Sequence, residues 1–292
     1  MTTVVIIGCG DIGERVGQLW LQQGATVTGS TRDAERARQL QAAGIVPLII
    51  DLNRPADNNI SLQDSVVYYF VPPFSEQNDT DDSRLRNFLT AAAGIPRCVV
   101  YISTTAVYGD CRGQWVTEQT AVNPQNSRGR MRLAAENIWR QWHRQHVVPL
   151  TVLRVAGIYG PGRLPLQQLR DRRPVLLESD APYSNRIHAD DLAQICFQAA
   201  GRAQGFQLYN VCDGYPVTST QYYFAVADLL GWPRPPTVTW SEAQQVLSAQ
   251  QLDFLQASRR IDNRQLLDKL GVTLRYPDLE SGLRASLETA TR

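Results

Sequence analysis

The sequence predicts an α/β chain: a doubly wound parallel sheet followed by a smaller C-terminal α/β lobe. Three observations carry the prediction. Short β-branched runs alternate with amphipathic stretches as far as Val155. Most of those runs are nearly continuous in apolar residues, as strands covered on both faces are. A glycine-rich loop, Gly8-Cys9-Gly10-Asp11-Ile12-Gly13, joins the first run to the first amphipathic stretch.

In chain order the predicted strands are Thr3–Ile7, Ala25–Gly29, Ile45–Ile50, Ser65–Val71, Cys98–Ser103 and Leu150–Val155. The 3.6-residue pattern predicts helices over Ile12–Gln23, Ala34–Ala43, Asp82–Ala93 and Arg130–His146. Right-handed crossovers wind such units into a Rossmann-type sheet. After Gly160 the rhythm changes, with prolines at 161, 165, 174, 182, 216, 233, 235 and 236 cutting the chain into short pieces. Residues 1–160 therefore read as the large domain and 161–292 as a smaller lobe over the carboxyl edge of the sheet. Ala189–Ala200 and Gly205–Val211 read as a helix and a strand that return to the sheet.

Composition excludes several classes. A net charge of +1 with no basic run argues against nucleic acid. The longest apolar stretch, Ser65 to Phe74, carries two prolines and is too short to cross a bilayer. The N-terminus lacks the charged start and cleavage pattern of a signal peptide. Five cysteines without a CxxC pair read as reduced thiols, and so as a cytoplasmic protein. His143 and His146 could share a helix face but read as a solvated helix end, so no metal is expected.

The glycine loop carries the first chemistry. Gly8 permits the tight turn, Gly10 lets the backbone approach a pyrophosphate, and Gly13 packs the helix against the sheet. The anion would lie over Asp11, Ile12 and Gly13 at the helix N-terminus, where free N–H groups and the dipole favour negative charge. The second strand then runs out as Ser30-Thr31-Arg32 where an NAD site usually has an acidic residue. Two hydroxyls and a guanidinium suit a 2′-phosphate, so NADP is the expected cofactor, with NAD the weaker choice. Asp33 is assigned to capping the next helix.

Further motifs resemble the extended short-chain dehydrogenase/reductase family, in its epimerase and dehydratase branch. They are Tyr101 to Asp110 (YISTTAVYGD), Arg154 to Gly162 (RVAGIYGPG), Arg186 to Ala193 (RIHADDLA), Leu208 to Val211 (LYNV) and Arg260 to Asn263 (RIDN). The resemblance runs over nearly the whole chain. It implies that Asp51 and Leu52 lie beside the adenine and that Val71 and Pro72 lie beside the inner ribose. It also implies a homodimer through Asp82–Ala93 and Arg130–His146. Ile138, Trp139 and Trp142 on the second helix permit that and equally suit a core.

The catalytic motif departs from the family. Its enzymes carry Tyr-x-x-x-Lys after the serine/threonine turn, and this chain reads Ser127 to Glu136 as SRGRMRLAAE. Alignment on Leu133–Glu136 puts Arg128 at the tyrosine position and Arg132 at the lysine position. Arginine stays protonated, so Arg128 cannot replace a phenol, although Arg132 can still hold the ribose. The sole lysine, Lys269, lies far along the chain. Thr104 matches the family's hydroxyl and can polarise a carbonyl but is a poor proton donor alone, and the loop tyrosines Tyr108, Tyr159 and Tyr183 read as packing residues first and as pocket residues second. Thr105-Ala106 replaces the acidic pair of sugar dehydratases, and Gly157 replaces an asparagine. The expected function is a divergent NADP-dependent oxidoreductase or epimerase-like protein acting on a small polar, negatively charged substrate. The alternative is a non-catalytic NADP-binding sensor.

Overall fold

Seven strands lie parallel in one sheet: β1 (Thr3–Ile7), β2 (Thr26–Thr31), β3 (Val46–Ile49), β4 (Val66–Tyr69), β5 (Cys98–Thr104), β6 (Leu150–Val155) and β7 (Phe206–Val211). Their order is β7-β6-β5-β4-β1-β2-β3. The chain thus winds outward from β1 in both directions and leaves a crevice between the carboxyl ends of β1 and β4. These features come from the computed structural model, which describes residues 1–55, 60–76 and 78–290.

Alternation within each strand feeds two cores. Val4 and Ile6 point to the layer that holds α1 (Asp11–Gln22), α2 (Ala34–Ala42) and, further along the chain, the helix Ala189–Gly201. Val5 and Ile7 point to the opposite layer with α3 (Ser83–Ala91) and α4 (Ser127–His146). Both layers are buried and apolar, which is why the strands carry so few polar residues. Further along, α5 (Ala189–Gly201) packs on the sheet and β7 pairs along β6 as its edge.

The differences from the sequence reading are at element ends. β2 continues to Thr31 because Ser30 and Thr31 still pair with Leu48 and Ile49. α4 begins at Ser127, where the predicted start was Arg130, because Asn126 caps it by accepting the Gly129 N–H at 2.8 Å. Arg128 is therefore helical. α3 starts one residue late, with Asp82 as its cap, and ends at Ala91, where Ala92–Ala93 pairs with Ile60–Ser61.

A third core forms around Tyr159, Leu169, Tyr222 and Leu283, between α6 (Ser219–Leu230) and α7 (Leu279–Ala290). On α4, Trp139 is buried in the main core, and Ile138 and Trp142 are partly buried against it. No helix among the described residues is long and apolar enough to cross a membrane.

Candidate functional site

A cavity of about 390 Å³ occupies the crevice between β1 and β4. Gly8, at φ +87°, donates its N–H to Ser30 Oγ at 2.8 Å, and the Cys9 N–H reaches the Ser30 carbonyl at 2.8 Å. These bonds tie the glycine loop to the end of β2. The three glycines then do different things. A Cβ on Gly8 would come within 2.9 Å of the Val71 nitrogen, and one on Gly13 within 3.1 Å of Ile6 Cγ2. A Cβ on Gly10 would meet nothing within 4 Å. Gly8 and Gly13 are packing glycines, and Gly10 borders open space above the N-terminus of α1. A pyrophosphate fits that arrangement.

Of the cofactor residues expected from sequence, Gly8, Gly10, Ser30, Thr31, Arg32, Asp51, Leu52, Val71 and Pro72 line this cavity. Asp11, Ile12 and Gly13 form the first turn of α1 and do not line it. Arg32 is exposed and makes no hydrogen bond or ion pair among the described residues. Ser30 is buried, its oxygen engaged by Gly8. Asp33 caps α2 by accepting the Arg36 N–H at 2.7 Å.

Two arginines of the lining, Arg36 and Arg84, escaped the sequence reading. Arg36 is held by Glu14 at 2.6 Å and by the Cys9 carbonyl at 3.3 Å. It lies in the first turn of α2, three residues after the cap Asp33, which brings it back over the end of β2. Arg84 bonds Asn53 Oδ1 at 2.7 Å and the Pro72 carbonyl at 3.1 Å, and nothing local in the sequence marks it.

A second cavity, of about 440 Å³, opens beyond the carboxyl ends of β5 and β6. It brings Thr104, Arg128 and Arg132 together. Thr104 Oγ1 accepts the Ala106 N–H at 3.2 Å, starting the short turn that follows β5. Arg132 is buried and gives Nη1 to the Ile102 carbonyl at 2.8 Å, while its Nε has no partner. Arg128, one turn earlier, faces Phe254 with its guanidinium 5.6 Å from the ring centre. Desolvation and then the charge of Arg132 push the Arg128 guanidinium below its ordinary pKa.

Arg163, Arg186 and Arg259 complete the cationic wall, and Asp253 is its only carboxylate among the described residues. Arg163 bonds Asp11 at 2.7 Å. For Arg128, Arg132, Arg186 and Arg259 no carboxylate lies within ion-pair distance among the described residues, and Arg186 and Arg259 also keep unpartnered Nε atoms. Arg186 explains Gly157, because a Cβ there would run into its guanidinium. No sequence pattern foretold that Arg163, Arg186 and Arg259 converge.

The loop tyrosines separate. Tyr108 is buried and donates to Asn210 Oδ1 at 2.7 Å, and Tyr159 is enclosed in the third core. Tyr183 alone of the three lines the second cavity, with the Arg260 guanidinium 5.0 Å from its ring centre. His143 Nδ1 lies 2.6 Å from the Val148 carbonyl at the end of α4, and no group of His, Cys, Asp or Glu among the described residues is arranged to hold a metal. The five cysteines are unpaired.

With this geometry established, three comparisons place the chain. A model described as the NAD dependent epimerase/dehydratase family matches residues 4–212. Protein YeeZ of Escherichia coli K12 is 26% identical over 287 residues, which is 95% of this chain and 97% of YeeZ. Among solved structures, a functionally unknown conserved protein from Silicibacter pomeroyi DSS is 30% identical, with each chain covered completely and a TM-score of 0.83. UDP-glucuronic acid 4-epimerase from Bacillus cereus, solved with UDP-glucuronic acid and NAD, shares the fold at a TM-score of 0.75 and 17% identity over 99% of both chains.

Proposed function

The chain belongs to the NAD dependent epimerase/dehydratase family, and we propose that it binds NADP and acts as a divergent oxidoreductase or epimerase on a small anionic substrate. One observation carries the reading: four guanidiniums, those of Arg128, Arg132, Arg186 and Arg259, line the cavity beside Thr104 without a carboxylate partner among the described residues. Concentrated positive charge in a part-desolvated wall is costly until an anion compensates it. A dianion or a pair of carboxylates fits the fork geometry of arginine.

When bound, the dinucleotide supplies a hydride acceptor or donor. Gly10 and the N-terminus of α1 would hold its pyrophosphate. Asp51, Leu52, Val71 and Pro72 would bound the adenosine. Arg32 and Thr31, with Arg36 beside them, would take a 2′-phosphate. Arg132 holds its guanidinium against the β5 carbonyl row, where a ribose hydroxyl can reach it. Arg128 binds and orients the anionic substrate and moves no proton. Thr104 polarises the reacting oxygen.

Unpaired thiols suit a cytoplasmic setting, and a homodimer through α3 and α4 would cover Ile138 and Trp142. The missing tyrosine is the one feature that favours a dinucleotide-binding sensor over an enzyme. The test is calorimetric titration of NADP and NAD, followed by titration of inorganic pyrophosphate and citrate into the NADP-loaded protein while NADPH absorbance is followed with candidate acids. Tighter NADP and saturable anion binding support the reading. Equal dinucleotide affinities would remove the preference for NADP, and no anion binding would overturn the substrate reading.

A further inference from the structure

Between the two cavities runs a chain of charges that neither of them explains. Asp11, the first residue of α1, accepts from Arg15 Nε at 2.8 Å and from Arg163 Nε at 2.7 Å. Arg15 is shared in turn with Asp190 on α5. Burial pushes the Asp11 carboxyl up, and the hydrogen bonds from Arg163 and Arg15 outweigh it and hold the group below its usual range. Arg163 closes a tight turn, Gly160-Pro161-Gly162-Arg163, in which its N–H reaches the Gly160 carbonyl at 3.0 Å. Gly160 and Gly162 have φ values of +146° and +74°. That turn carries Arg163 from the start of the second lobe to the glycine loop, while its side chain also lines the second cavity.

The charge arithmetic at this point is tight. A carboxylate at the first position of α1 would oppose a pyrophosphate laid over Gly10, and Arg15 is already divided between Asp11 and Asp190. Arg36 reaches the loop from the side of α2, through the Cys9 carbonyl and Glu14, and Arg163 brings a further cation from beyond Gly160. Its side chain is 34% exposed and so is free to turn by one rotamer.

We propose that Arg163 is a pyrophosphate-binding residue supplied by the second lobe, held in place by Asp11 until the dinucleotide arrives. The inference rests on the dinucleotide reading of the first cavity but not on the preference for NADP. Arg163 then links the two cavities, because the residue that engages the cofactor also forms part of the substrate wall.

The test compares dinucleotides with the same nucleosides lacking pyrophosphate. NADP, NAD, adenosine 2′-phosphate and adenosine are titrated calorimetrically into the wild type, Arg163→Ala and Arg163→Lys. Arg163→Ala should weaken both dinucleotides about tenfold or more, the loss of a charge-assisted hydrogen bond. Its affinity for adenosine 2′-phosphate and adenosine should change less than about twofold, and Arg163→Lys should recover most of the dinucleotide affinity. Unchanged dinucleotide affinity in Arg163→Ala overturns the proposal, as does an equal loss for the nucleosides. A wild type that binds no dinucleotide overturns this proposal together with the functional reading. Equal affinity for NAD and NADP, with the Arg163 effect intact, supports this proposal and removes only the cofactor preference.

Discussion

Glu136 on α4 accepts two hydrogen bonds from the buried guanidinium of Arg154 on β6, at 3.0 and 2.8 Å. Ser103 on β5 donates to the same carboxylate at 2.6 Å, so one side chain pins the helix to two adjacent strands. The helix rotation that this sets is what turns Arg128 and Arg132, two turns and one turn earlier, toward Thr104. Removing one partner of a buried ion pair leaves an uncompensated charge. Glu136→Ala should therefore cost about 3–5 kcal/mol of folding stability. Urea unfolding measures it, and a loss below about 1 kcal/mol would mean that the clamp does not anchor α4.

Gly10→Val should abolish dinucleotide binding and leave the fold cooperative. A Cβ at Gly10 meets no protein atom within 4 Å, so the side chain would project into the space above α1 without straining the loop. Calorimetry with NADP and a thermal melt separate the two effects. A variant that still gains heat resistance from NADP would make the loop a structural turn.

Arg32→Asp should erase or invert the preference for NADP. Arg32 stands free at the cavity mouth, so its replacement disturbs no existing bond among the described residues. Loss of a charge-assisted contact costs about 1.5–3 kcal/mol, roughly ten- to a hundredfold in affinity. Titration of both dinucleotides against both proteins reads this directly. An unchanged NADP-to-NAD ratio would shift the specificity to Arg36.

The pH dependence of stability has a defined sign at Asp213. Burial pushes its carboxyl up to about 7, and one of its oxygens has no partner. The folded chain therefore holds a proton there that the unfolded chain releases near 4, so this group lowers stability as pH rises from about 4 to 7. His188 acts oppositely: burial pushes it down to about 4, so its contribution is lost as pH falls through about 6.5 toward 4. In Asp213→Asn the first effect vanishes and the second remains. The variant should gain stability relative to wild type above pH 7, by about 4 kcal/mol at most, and its stability should rise between pH 4 and 6.5. Denaturant unfolding at pH 5 and pH 8 checks both; an equal difference from wild type at the two values would show that Asp213 is ionised in the fold throughout.

Sequence legibility follows the range of the interactions concerned. The glycine loop could be read because Gly8, Gly10 and Gly13 meet steric demands within one turn. The strands could be read because both sheet faces are buried in apolar cores, which leaves near-continuous apolar runs. The true start of α4 was obscured by Gly129, which weakens the helical pattern although Asn126 caps it. Glycine is needed there because a Cβ would come within 2.9 Å of the Ala106 carbonyl. The arginine wall was not legible, since Arg163, Arg186 and Arg259 come from segments far apart in the chain, Arg163 in a turn and Arg186 on a short strand. Tyr108, Tyr159 and Tyr183 look alike in sequence, and only burial shows which one reaches the cavity.

Arg128 gives the sharpest test of the substrate's charge. It occupies the first turn of α4, on the wall shared with Thr104 and Arg132, and desolvation together with Arg132 makes its charge costly. A fixed cation there stabilises a carboxylate or phosphate and disfavours any bound group that lacks negative charge. Arg128→Ala should weaken pyrophosphate or citrate by about 1.5–3 kcal/mol and leave NADP affinity nearly unchanged. The wild type should turn over no neutral carbonyl compound. Folding should be unimpaired, or slightly improved, because a cation is removed from beside another cation. Calorimetry with each anion on the NADP-loaded protein decides the matter. An unaltered anion affinity would show that Arg128 only packs on Phe254, 5.6 Å from its ring centre, and that the ligand is held by Arg186 and Arg259 alone.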